Sequence, residues 1–103
     1  MVAKSAMYSF RYARDVLKGP FHLGEPAISK DPEYAMIYLK VILRAPWKMA
    51  EATIAKDSYH SYIYAVDVLK APFRLGEPAI AKRYFSEYTK RFPNRRTFLE
   101  TLI

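Results

Sequence analysis

The chain has 103 residues, about half of them apolar and 16% aromatic, and a net charge of +7. This is a single-domain length with enough apolar material for a small core. The absence of cysteine excludes a disulfide framework and thiolate chemistry, and no apolar run approaches the roughly 20 residues of a membrane span.

A 26-residue unit occurs three times, at 4–29, 30–55 and 56–81, without insertion. Lys4, Lys30, Lys56 and Lys82 open successive units. Tyr12, Tyr38 and Tyr64 fall in register, as do Pro20, Pro46 and Pro72, and Glu25, Glu51 and Glu77. Self-similarity at such a step is the mark of a stacked repeat array. The expected fold is all-α: one domain over 1–103, a short α-solenoid of three two-helix repeats with a divergent helical C-terminal cap at 82–103.

Each unit reads as a long helix followed by a short one. Ser5, Asp31 or Asp57 starts the long helix, accepting from the free amides of its first turn. Pro32 sits where a missing N–H costs nothing. The expected inward face is Ser9, Phe10, Ala13, Val16 and Leu17 in the first copy, and Ala35, Met36, Leu39, Ile42 and Leu43 in the second. In the third it is Ser61, Tyr62, Ala65, Val68 and Leu69; all three follow helical period. Lys18, Arg44 or Lys70 closes the helix with a cation that suits its carbonyl end. The proline two residues on ends it by restricting the residue before. Gly19 is expected to ease that turn in the first copy. An aromatic follows the proline (Phe21, Trp47, Phe73), and an apolar residue comes two later (Leu23, Met49, Leu75). Glu-Pro or its equivalent then opens a short helix.

After Lys82 the register fails. Tyr84, Phe85, Tyr88 and Phe92 recur at helical spacing, Pro93 breaks the chain, and Phe98, Leu99, Leu102 and Ile103 are expected inward. End repeats of solenoids diverge because one face lacks a neighbour. Residues 1–4 are too short to cap the other end, so the chain is expected to be a monomer or a homodimer paired through its first repeat.

The segments KDPEYAMIY at 30–38, YAVDVLK at 64–70 and GEPAIAK at 76–82 resemble short tandem helical repeats of bacteriophage and giant-virus proteins. The likeness extends nearly to Lys82. It departs in placing proline before the aromatic rather than after it, and in lacking an Arg-Trp pair. It implies an α-helical repeat of viral origin and brings no catalytic or binding residues with it.

Catalysis has little to stand on. His22 and His60 occupy different places in the repeat, and the three glycines are spread singly, so no phosphate-cradling loop exists. Residues repeated once per unit serve the repeat, whereas catalysis needs one asymmetric constellation. The expectation is therefore no enzyme, no metal and no cofactor. Charge offers more. Residues 1–81 hold eleven Lys/Arg against eight Asp/Glu, while 82–103 hold six against two. The candidate binding residues are Lys18, Arg44, Lys70, Lys48 and Arg74 in the repeats, and Lys82, Arg83, Lys90, Arg91, Arg95 and Arg96 in the cap. Glu25, Glu51 and Glu77 are expected to pair with Lys18, Arg44 and Lys70. Arg95 and Arg96 are expected to bind without supporting the fold. The function this suggests is a binding module that engages a host or viral protein, acidic in character, through a basic, aromatic-rich surface. The alternative is an RNA or DNA binder using the basic cap. Arg11 and Arg14 interrupt any secretory apolar run, so the expected location is cytoplasmic.

Overall fold

The computed structural model describes residues 5–103, and all regular structure among them is helical. The expectation about residues 1–4 and the pairing of the first repeat falls outside them. The chain divides into two compact units, one ending at Thr53 and the other beginning at Ile54.

In the first unit, α1 (Ala6–Arg11) continues into a π turn over Tyr12–Leu17. A 3-10 turn at His22–Gly24 leads into α2 (Glu25–Ile28). Next come α3 (Pro32–Tyr38) with its π turn Leu39–Leu43, and α4 (Lys48–Ile54). In the second unit, α5 (Ser58–Ile63) continues into a π turn over Tyr64–Leu69, and a 3-10 turn at Arg74–Gly76 opens α6 (Glu77–Arg83). After α7 (Phe85–Arg91), a 3-10 turn at Pro93–Arg95 opens α8 (Arg96–Glu100).

The three expected N-caps form. Ser5 Oγ accepts from the Tyr8 amide at 3.3 Å, and one Asp31 oxygen accepts from the Glu33 and Tyr34 amides at 3.0 Å each. Asp57 accepts from the His60 amide at 2.7 Å. The far ends of the same helices differ from expectation. Their last turns close i→i+5, which adds a residue and rotates the following side chains by about 100° from the face a regular helix would present. Ser9, Phe10 and Ala13 are therefore buried as expected, but Val16 is 62% and Leu17 45% exposed. Ile42 and Leu43 are half-buried, while Ala35, Met36 and Leu39 are inside.

The chain reverses at Lys18, Arg44 and Lys70, with φ of 52°, 53° and 54° in the left-handed region. Gly19 is not the pivot. Each pivot is two residues before a proline, and the proline ring disfavours helical geometry in the residue between. The reversal is thus forced one residue earlier, onto a side chain with a Cβ, at a cost of roughly 1–2 kcal/mol each. The carbonyls of Ala13, Leu39 and Ala65 each accept two amides there, from the pivot and from the residue after it.

Close packing between long and short helices rests on Gly24 and Gly76. A Cβ on Gly24 would lie 2.6 Å from Ser9 Cβ, and one on Gly76 would lie 2.6 Å from Ser61 Oγ. The equivalent pair in the second repeat is Ala35 with Ala50, both fully buried. The largest wholly buried side chains are tyrosines: Tyr38 in the first unit, and Tyr64 and Tyr88 in the second.

The C-terminal segment keeps the repeat's local geometry in shortened form. Phe92 (φ −128°, ψ 75°) matches Phe21 and Phe73, and Arg95 (φ −95°, ψ −5°) matches Gly24 and Gly76. Leu99 is buried as Ile80 and Ile28 are, but Phe98, Leu102 and Ile103 are exposed, contrary to the inward face expected of them.

Candidate partner-binding surface

A polar clamp underlies the surface in each unit. In the first, the Tyr38 hydroxyl donates to Glu25 Oε2 at 2.6 Å and accepts from the Phe21 amide at 3.0 Å. In the second, the Tyr88 hydroxyl donates to Glu77 Oε2 at 2.7 Å and accepts from the Phe73 amide at 3.0 Å. Each repeat tyrosine also packs on the aromatic that follows it. Ring centroids are 4.8 Å apart for Tyr12–Phe21, 5.1 Å for Tyr38–Trp47, 4.9 Å for Tyr64–Phe73 and 5.0 Å for Tyr88–Phe92. The clamp thus fixes where the aromatic sits and, with it, the loop that carries the basic residues.

The glutamates do not pair with Lys18 and Lys70 as the sequence suggests. Glu25 takes Tyr38, with His22 Nδ1 at 3.2 Å. Glu77 is fully buried and takes Tyr88 together with a two-pronged contact from Arg95: Nε to Oε2 at 2.8 Å and Nη2 to Oε1 at 2.6 Å. Burial pushes the Glu77 carboxyl up, but Arg95 and Tyr88 outweigh it and hold the group below the usual carboxylate range. Burial, and then the neighbouring carboxylate, push the Tyr38 and Tyr88 hydroxyls well above an ordinary phenol. Arg95 therefore supports the fold, a correction to its expected role as a free binding group. Its guanidinium also lies 5.0 Å from the centre of the Phe98 ring. The clue to the clamp lay in the sequence: glutamate and the next tyrosine are 13 residues apart in both full repeat junctions.

Most of the other candidates are exposed. Lys18, Arg44 and Lys70 occupy the left-handed pivots, Lys48 opens α4, and Arg74 opens the 3-10 turn before α6. All five are exposed and, among the described residues, none makes an ion pair. Lys82 and Arg83 end α6, and Lys90 and Arg91 end α7, all exposed. Arg96 stands 3.7 Å from Glu100 and its guanidinium is 5.5 Å from the Phe85 ring centre.

Exposure, not residue type, sets which side chains this surface offers. The aromatic after each proline is not presented: Trp47 and Phe73 are buried and Phe21 is half-buried. The apolar residue two positions later is presented, with Leu23 79%, Met49 54% and Leu75 58% exposed. In the second unit a cleft of about 380 Å³ also joins Arg83 to Lys56, Asp57, Tyr59 and Tyr84. Tyr84 stacks on Tyr62 there, 5.1 Å between centroids and 10° between planes. The two histidines are engaged locally, His22 with Glu25 and His60 Nδ1 with Asp57 at 2.6 Å.

No helix among the described residues is long and apolar enough to cross a membrane. No protein-family model, curated protein or solved structure matches the chain.

Proposed function

We propose that this chain is a non-enzymatic protein-binding module whose repeats present paired basic and aliphatic side chains to an acidic protein partner. The observation that carries this reading is the exposure of Leu23, Met49 and Leu75, each directly after a residue able to carry positive charge (His22, Lys48, Arg74). The fold makes no use of these aliphatic side chains, yet one recurs in every repeat. Exposed apolar groups flanked by exposed basic side chains suit a partner of mixed apolar and acidic character. Single-stranded nucleic acid is bound instead by cations interleaved with open aromatic faces, and here the repeat aromatics are turned inward. The resemblance to viral repeats makes the natural partner a host or viral protein.

The test is fluorescence anisotropy of the purified chain against two kinds of probe. One is a labelled twelve-residue peptide of repeating Glu-Leu-Glu; the other is single-stranded RNA, single-stranded DNA and duplex, each titrated with salt. Binding of the peptide, weakened by Met49→Glu with Leu75→Glu at an unchanged melting temperature, is the expected result. Tight nucleic-acid binding that falls linearly with log salt, without peptide binding, overturns it.

A further inference from the structure

Resting on that reading, we infer that Lys18, Arg44 and Lys70 are the residues that grip the partner's carboxylates. They are kept at the left-handed pivots for their charge and against the preference of the backbone. The pivot conformation belongs by default to glycine, and sometimes asparagine, at the end of a helix. In this chain it is occupied three times out of three by a long cation. Gly19 stands next to the first pivot, yet the proline fixes the reversal on Lys18.

No side-chain contact inside the described structure repays the strain. The three side chains are exposed, and none makes an ion pair or side-chain hydrogen bond there. The glutamates that could have neutralised them are committed elsewhere, Glu25 to Tyr38 and Glu77 to Tyr88 and Arg95. Helix-end electrostatics does not require the charge at the pivot, since a cation within the last turn would serve equally. A strained position that recurs with one side-chain chemistry points to a use for that chemistry outside the fold. The left-handed backbone also carries the cation on the loop that displays Leu23, Met49 or Leu75. Charge complementarity selects the occupant: a segment of another protein in which carboxylates alternate with aliphatic side chains.

The test compares two double variants that remove the same charge. One is Arg44→Gly with Lys70→Gly; the other is Arg11→Ala with Lys30→Ala, at exposed cations away from the pivots and from the cleft. Each is assayed by thermal melting and by anisotropy with the Glu-Leu-Glu peptide. The pivot variant is expected to melt several degrees higher than the unmodified chain and to bind the peptide at least tenfold more weakly. The control pair is expected to lose no more than threefold. Peptide binding that survives the glycine substitutions overturns the assignment of the pivots while leaving the protein-binding reading intact. A lower melting temperature for the pivot variant overturns the strain argument. An unmodified chain that does not bind the peptide overturns both.

Discussion

At the scale of single residues, the chain separates cations that hold it together from cations it leaves free. Arg95 is of the first kind: its fork on Glu77 lets a wholly buried carboxylate stay ionised beside a buried tyrosine. Arg95→Ala should destabilise by about 3 kcal/mol, the low end for stranding a buried charge, because the guanidinium side still meets solvent. Urea unfolding followed by circular dichroism measures it, and a loss below about 1 kcal/mol would mean that water replaces the guanidinium. Sequence alone could not separate Arg95 from Arg96. They are adjacent and chemically identical, and only the shortened last repeat turns one toward Glu77.

At the scale of the element, the 26-residue period, the N-caps and the proline stops were legible because each acts through neighbours in sequence. The π turns were not. They change the number of residues per turn without a residue type of their own, so the inward face inferred at regular helical spacing holds to Ala13 and fails by Val16. The tightest contact between elements is also the easiest to disturb. Gly76→Ala pushes a methyl into Ser61 and Phe73, and overpacking of this kind should cost about 1–3 kcal/mol in unfolding free energy. An unchanged melting temperature would show that α5 and α6 can separate freely.

At the scale of the whole molecule, the clamps tie stability to pH from both sides. Glu77 lies below the ordinary glutamate value, and Asp57 below that of aspartate. Burial opposes ionisation of Asp57, but the His60 amide and imidazole outweigh it. A lowered folded-state pKa contributes stability that is complete above the unfolded value, near 4, and is lost as pH falls through the folded one. Glu77→Gln should therefore flatten the decline in unfolding free energy below pH 5. Tyr38 and Tyr88 are raised, so the sign reverses: their contribution is complete below about 10 and is lost as pH climbs beyond it. The clamp tyrosines should ionise only as helicity is lost. A single titration of all nine tyrosines with helicity intact would contradict the clamp.

The clamp gives the series a direction. Glu25 and Glu77 receive a hydroxyl from a tyrosine that comes later in the chain, so each offers an acceptor forward. In the last repeat, the place of Glu25, Glu51 and Glu77, four residues after the aromatic, belongs to Arg96. A further unit of the same kind, arriving with its tyrosine, would meet a donor where it needs an acceptor. Arg96 thus inverts the charge at the clamp position: the C-terminal segment carries a donor where the earlier units carry an acceptor.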